Sequence, residues 1–142
     1  MKNLKFRAWD KRRKDFRNDI FVDTNGNLHQ FSKITGYGQA ITYLDNKHIV
    51  LMQSTGFFDK NGKEIFEGDI LNCGYIFTGS PFEEQGDYIE DIGVVKIVNC
   101  GAVVKIYEEI ENLIDVLNTC EDIEVIGNIY ENKELLENER IK

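Results

Sequence analysis

Two apolar pairs, Phe57-Phe58 and Ile65-Phe66, flank Asp59-Lys60-Asn61-Gly62, and this segment constrains the chain more than any other local feature. An Asn-Gly step supplies the positive φ that tight turns demand. The stretch from Thr55 to Phe66 therefore reads as a type I turn with Gly62 left-handed, closing a bulged hairpin. Glu67-Gly68-Asp69 makes a second turn and leads into Ile70 to Phe77, a largely apolar strand. Asp59, Asn61, Gly62, Gly68 and Asp69 are accordingly read as structural turn residues.

The rest of the chain follows the same grammar. Leu4 to Trp9 alternates apolar and polar residues, the period of a half-buried strand, and the charged turn Asp10 to Lys14 follows. Ile20-Phe21-Val22 suits a short strand, Asp23 to Asn27 a turn, and Leu28 with Phe31 a resumed strand, whereas Ser32 to Gln39 is left unassigned. Ile49 to Ser54 reads as a strand of mixed burial. Pro81 introduces Phe82 to Asp91, which holds five acids around Gly86 and reads as an exposed, mobile loop. Gly93 to Val98 and Ala102 to Tyr107 are β-rich runs joined by Asn99-Cys100-Gly101. Ile106, Ile110, Leu113, Ile114 and Leu117 recur at helical spacing, which predicts an amphipathic helix from about Glu108 to Asn118. Ile123 to Ile126 makes a further strand, and Asn132 is placed as N-cap of a helix over Lys133 to Asn138. Many short strands, frequent glycine turns and few helices predict a mainly β fold, a small barrel with helical decoration. Two regions are expected: residues 1–50, β-rich with a basic arm, and residues 51–142, the barrel with its C-terminal helix.

Charge is unevenly spread. The 142 residues carry a formal charge of −8, yet Met1 to Arg17 holds eight bases and two acids, a net of +6, leaving −14 for the remainder. Lys11, Arg12, Arg13, Lys14 and Arg17 are thus candidate contacts to a nucleic acid or to an acidic protein surface. A solvated charged hairpin is the favoured explanation of them, and the acidic remainder would repel a phosphate backbone. Cys73, Cys100 and Cys120 are odd in number and widely spaced, with no CxxC and no neighbouring histidine, which predicts free thiols and no zinc site. No apolar run approaches the roughly 20 residues that cross a bilayer. Nor does an apolar stretch follow Met1 as a signal peptide would require, so no membrane association is expected.

Reactive motifs are few. Asp59 to Gly62 resembles a calcium loop only in outline, because Gly62 falls fourth where such a loop needs its glycine sixth, and Ile70 falls where the bidentate glutamate belongs. Glu67 and Asp69 flank Gly68 as an acid–base couple could, but turn chemistry accounts for both. GxGxxG, P-loop, GxSxG and HExxH patterns are absent, and His29 and His48 lack a sequence-adjacent nucleophile. Trp9, Phe6, Phe57, Phe58, Phe66 and Tyr130 are candidate groove-lining aromatics, with Phe6 and Phe66 assigned instead to the core. No cofactor, no metal and no catalytic residue is expected.

Three stretches, taken in order and spacing, resemble the YopX family of phage and prophage proteins. They are Lys5-Phe6-Arg7-Ala8-Trp9-Asp10, the run from Met52-Gln53-Ser54-Thr55-Gly56 to Gly68-Asp69-Ile70, and Val125-Ile126-Gly127-Asn128-Ile129-Tyr130-Glu131-Asn132. Ser54 stands where an aromatic is common in the family, and Lys133 replaces the usual proline at the first helical position, which loosens that helix's start. The resemblance implies an SH3-like barrel in the C-terminal part, a phage genome and a bacterial cytoplasm, and it supplies no activity. The expectation is a non-enzymatic accessory protein that acts by binding, as a homo-oligomer or with another phage or host protein. The alternative is a nucleic-acid-associated protein using the basic N-terminal segment.

Overall fold

Phe6-Arg7-Ala8-Trp9-Asp10 forms the first strand of a chain dominated by β-structure, seen in a computed structural model. Ala8, Trp9 and Asp10 are buried in succession, so both faces of its end are covered, which corrects the half-buried alternation expected there. The structure describes residues 4–34, 38–80, 82, 84–99, 101–106, 109–120 and 122–140. They form two compact units: residues 5–52, and residues 53–142 together with Leu4. Pro81, Cys100, Tyr107 and Glu108, singled out above, lie outside the described residues.

In the first unit, β1 (Phe6–Asp10) pairs antiparallel with β2 (Asp15–Arg17), while β3 (Ile20–Val22), β4 (Leu28–Ile34) and β5 (Gly38–Tyr43) make an antiparallel meander. The segment left unassigned is therefore largely strand: β4 pairs with β5 from His29↔Tyr43 to Ile34↔Gly38. Its Ser, Lys, Gln and Gly residues lack the apolar alternation that marks a strand in sequence, and the backbone ladder defines these strands. Ala8, Leu28 and Ile49 form a small core with Ile20, Val22, Leu44 and Leu51 packed against it. Phe6 corrects its core assignment: it sits at a strand end, 45% exposed, while Trp9 is 5% exposed and meets Phe16 edge-on at 5.0 Å.

The second unit takes over midway along β6 (Ile49–Phe58), whose latter part forms a hairpin with β7 (Glu64–Phe66). The register slips between Ser54 and Phe58, the irregularity of a bulge. Beyond the Gly68 turn, β8 (Asp69–Phe77), β9 (Asp87–Val98), β10 (Gly101–Ile106), β11 (Glu109–Asn112) and β12 (Asp122–Asn128) form one antiparallel sheet in the order β11-β10-β9-β8-β12. The sheet curls into a half-barrel, and its concave side buries Leu71, Cys73, Val95, Val104, Ile123 and Val125 together with Ile65. Helix α1 (Leu113–Thr119) covers this core with Leu113 and Val116, and α2 (Lys133–Arg140) follows β12. The protein is mainly β, with two α-helices among the described residues.

Three expectations are corrected here. Asp87 to Asp91 is not loop: it forms the first half of β9, paired residue for residue with Cys73 to Phe77. Its acids face outward or bond across strands, so charge did not oppose pairing; Tyr88 lies over Gly74, and its hydroxyl donates to Asp122 at 3.0 Å. A Cβ on Gly74 would meet that ring at its Cζ within 2.6 Å, which explains a glycine in mid-strand. Likewise, the helix predicted from Glu108 shrinks to Leu113–Thr119, because Glu109 to Asn112 add to the free edge of β10. Ile110, counted in the helical stripe, is 62% exposed on that edge strand. Finally, Asn132 precedes α2, but its side-chain oxygen accepts the Asn128 N–H at 3.1 Å, turning back on the preceding turn.

Leu71 is fully buried at the centre of the half-barrel, whereas Ile114 on α1 is half-exposed. Leu71→Ala is expected to cost about 2–5 kcal/mol in urea unfolding, and Ile114→Ala no more than about 0.5 kcal/mol.

Candidate functional site

The curl of β8 and β9 against β11 and α1 leaves a groove of about 610 Å³. Its walls are Cys73, Tyr75 and Ile76 from β8, Asp91 from β9, Ile106 at the end of β10, Glu109 and Glu111 from β11, Val116 and Thr119 from α1, and Cys120. Alternation along β8 turns Cys73 and Tyr75 to the same face, and the Tyr75 hydroxyl donates to Asp91 Oδ2 at 2.9 Å. Cys120 ends α1, where its N–H closes on the Val116 carbonyl at 2.9 Å. Both cysteines line this groove, and Cys120 packs against the buried cluster that contains Cys73. Burial pushes the Cys73 thiol up to about 12, with the Cys120 sulfur and the nearby Asp91 adding to the rise. Burial also raises Cys120, so both are neutral thiols at physiological pH. Neither cysteine's neighbours in sequence announce that the two share a groove; that follows only from the fold.

The turn residues form a separate constellation. Asp59 is 8% exposed, and its carboxylate accepts three backbone N–H groups: Asn61 at 2.9 Å and Lys63 at 2.8 Å within the turn, and Val125 at 3.0 Å on β12. Burial alone would raise this carboxyl, but the N–H groups of Val125, Lys63 and Asn61 outweigh it and hold Asp59 below its ordinary value. Gly62, at φ +80°, takes the left-handed position, and Asn61 donates to Glu124 at 3.3 Å. Asp69, 1% exposed, accepts the Phe66 N–H at 2.8 Å. Gly68 donates to Val95 and accepts from Ile129, joining three segments through one backbone unit. Within these turns the carboxylates hold backbone. Glu67 lies at the same turn, where its N–H donates to the Gln53 carbonyl at 2.9 Å.

The basic segment divides in two. Lys11, Arg12, Arg13 and Lys14 are exposed on the β1–β2 turn, with Lys14 left-handed at φ 55°. Asp10 organises that turn, accepting the N–H groups of Arg12 at 2.9 Å and Arg13 at 3.1 Å. Burial opposes ionisation of Asp10, yet those bonds and the Arg17 guanidinium hold its carboxyl below the ordinary value. Arg17 is inward: its side chain is 10% exposed, bidentate to Asp19 at 2.9 and 2.6 Å, and also bonded to Asp10 and Gln30. The turn thus displays four cations, while the fifth is committed to the fold. His29 bonds Asp23 at 3.0 Å and stacks on Phe21, and that bond leads the causes holding Asp23 low.

Among the described residues, no group of three or more His, Cys, Asp or Glu is arranged to hold a metal ion. None of their helices is long and apolar enough to cross a membrane.

Asp59 yields a pH-dependent expectation. Its folded value lies below the ordinary carboxyl value of roughly 4, so its stabilisation is present above that pH and fades as pH falls through the folded value. Asp59→Asn is expected to destabilise by about 2–3 kcal/mol at neutral pH, the deficit shrinking in acid; urea titrations of both chains at neutral and acid pH check this.

Comparison with known proteins gives three results. The family described as YopX protein matches residues 5–137. The crystal structure of protein EF1440 from Enterococcus faecalis superposes with a TM-score of 0.59 and 28% identity, over 94% of this chain and 98% of that one. The crystal structure of yopX from Bacillus subtilis superposes with a TM-score of 0.60 and 20% identity, over 92% of this chain and 95% of that one. No curated protein matches.

Proposed function

The chain belongs to the YopX family, and from that premise we propose a phage or prophage accessory protein of the bacterial cytoplasm that acts by binding and associates with copies of itself. One observation carries this reading. At the far end of the β8–β9 ladder, Ile76 stands opposite Tyr88 in register, and Ile76, Phe77 and Tyr88 are each about half exposed, with Phe82 93% exposed beyond them. Large apolar side chains gathered on one strand pair are costly in water unless something covers them. Asp87 stands opposite Phe77 in register, Glu84 and Glu90 are exposed in the same stretch of chain, and the exposed turn Lys11 to Lys14 offers the opposite charge on another copy. Apolar contact supplies the affinity in this arrangement, while the charges set its register and speed its formation. An SH3-like barrel serves as the scaffold in this reading, and the curled half-barrel sheet supports it.

Sedimentation of the purified chain over a range of concentrations tests the proposal. Wild type is expected to associate, and the double variant Ile76→Ser, Phe77→Ser to weaken association at least tenfold, about 1.4 kcal/mol. A wild type that stays monomeric at high micromolar concentration removes the self-association. Retention on duplex DNA that falls steeply with salt and depends on Lys11, Arg12, Arg13 and Lys14 would favour the nucleic-acid reading instead.

A further inference from the structure

The groove of the half-barrel changes character from floor to wall, and strand register shows how. Cys73 stands opposite Asp91, Ile106 opposite Glu109, and Val104 opposite Glu111. Directly opposed residues share a face of the sheet, so Asp91, Glu109 and Glu111 point to the same side as the buried Cys73 and Val104. Lys105 alternates to the other side with Ile110, and no base is among the lining residues. Between the carboxylates the surface is apolar, with Ile106 and Val116 exposed to the groove. The Tyr75 hydroxyl, bonded to Asp91 Oδ2 at 2.9 Å, fixes the direction of that carboxylate. Among the described residues, no ion pair uses Glu109 or Glu111. Charges turned inward on an edge strand also deter sheets from pairing, but that purpose needs neither a groove behind them nor a third acid on β9.

We infer that this groove binds a linear organic dication, one ammonium end meeting Asp91 on β9 and the other Glu109 and Glu111 on β11, with the aliphatic middle lying on Ile106 and Val116. A volume of about 610 Å³ belongs to the class of small-molecule sites. The sheet sets the length of the ligand. Only β10 separates β9 from β11, so the two acidic strands lie about 10 Å apart. The curl of the sheet draws their side chains closer together, which suits a spacer of six carbons between the two nitrogens. Contact of that spacer with the floor removes apolar surface from water. A single exposed charge pair is worth little, whereas two joined by a spacer of matching length act together. An anion of the same length is repelled at both ends. The site is complete within one chain, so it goes beyond self-association and does not depend on it.

Isothermal titration of the full chain with hexamethylenediamine at neutral pH, with amide chemical shifts followed in parallel, tests the site. One diamine per chain is expected to bind with a dissociation constant below about 1 mM, shifting amides of β11 and of the end of α1. Hexamethylene glycol and adipate, of equal carbon count, and ethylenediamine, too short to bridge, should each bind at least roughly tenfold more weakly. Glu109→Gln with Glu111→Gln should weaken the diamine by a similar factor. Glu134→Gln with Glu137→Gln, an equal change of charge at exposed positions of α2, should leave it unchanged. Circular dichroism on each variant shows that it is folded. A wild type that neither releases heat nor shifts amides at millimolar diamine overturns the site. Equal binding of the glycol or of adipate overturns the charge recognition, and equal binding of ethylenediamine overturns the bridge from β9 to β11. Equal weakening by the α2 substitutions shows attraction to net charge alone and overturns the site as well.

Discussion

One buried carboxylate organises the C-terminal unit. Asp59 spends one oxygen on its own turn and the other on Val125, so a local hairpin and a strand more than sixty residues later share a single ionised group. Lys60 adds a backbone bond to Ile123 beside it. Without that carboxylate, three N–H groups would face the interior with no acceptor, a loss larger than the net worth of the bonds themselves. The hairpin edge therefore caps β12, which would otherwise end the sheet with open backbone. Charge and burial coexist here because the donors come from rigid backbone, which ionisation does not have to reorganise.

The same logic recurs at smaller scale. Asp10 gathers two N–H groups and Arg17 at the β1–β2 turn, Asp69 holds Phe66, and Asn128 takes the N–H groups of Tyr130 and Glu131. Each sits where a strand begins or ends, and each replaces a ladder bond that the turn cannot make. The acidic character of the chain is thus partly structural, with several of its carboxylates facing inward to backbone.

The legible parts of the sequence were those decided by neighbours. Asn61-Gly62 and Gly68 announce turns because positive φ is a local demand, and the observed Gly62 and Gly68 conformations answer it. Membership of the YopX family was readable from three separated motifs. Elements decided at a distance were hidden. Glu109 to Asn112 carries one apolar residue, Ile110, which fits either period, and only the open edge of β10 makes it a strand. Asp87 to Asp91 reads as loop until β8 supplies partners, and Tyr88 fits only because Gly74 leaves room beneath it. The groove is the least legible feature: its two thiols lie in segments that share no pattern, and its acidic wall includes an edge strand mistaken for helix.

Lys14 occupies backbone space that glycine or asparagine enters with less resistance. For an L-residue with a long side chain that posture costs on the order of 1 kcal/mol. The β1–β2 connection consequently stores a small conformational tension in order to present an ammonium group at its tip. Relaxing the corner with a smaller residue would make the turn more comfortable and, by the same stroke, erase one quarter of the positive charge it displays.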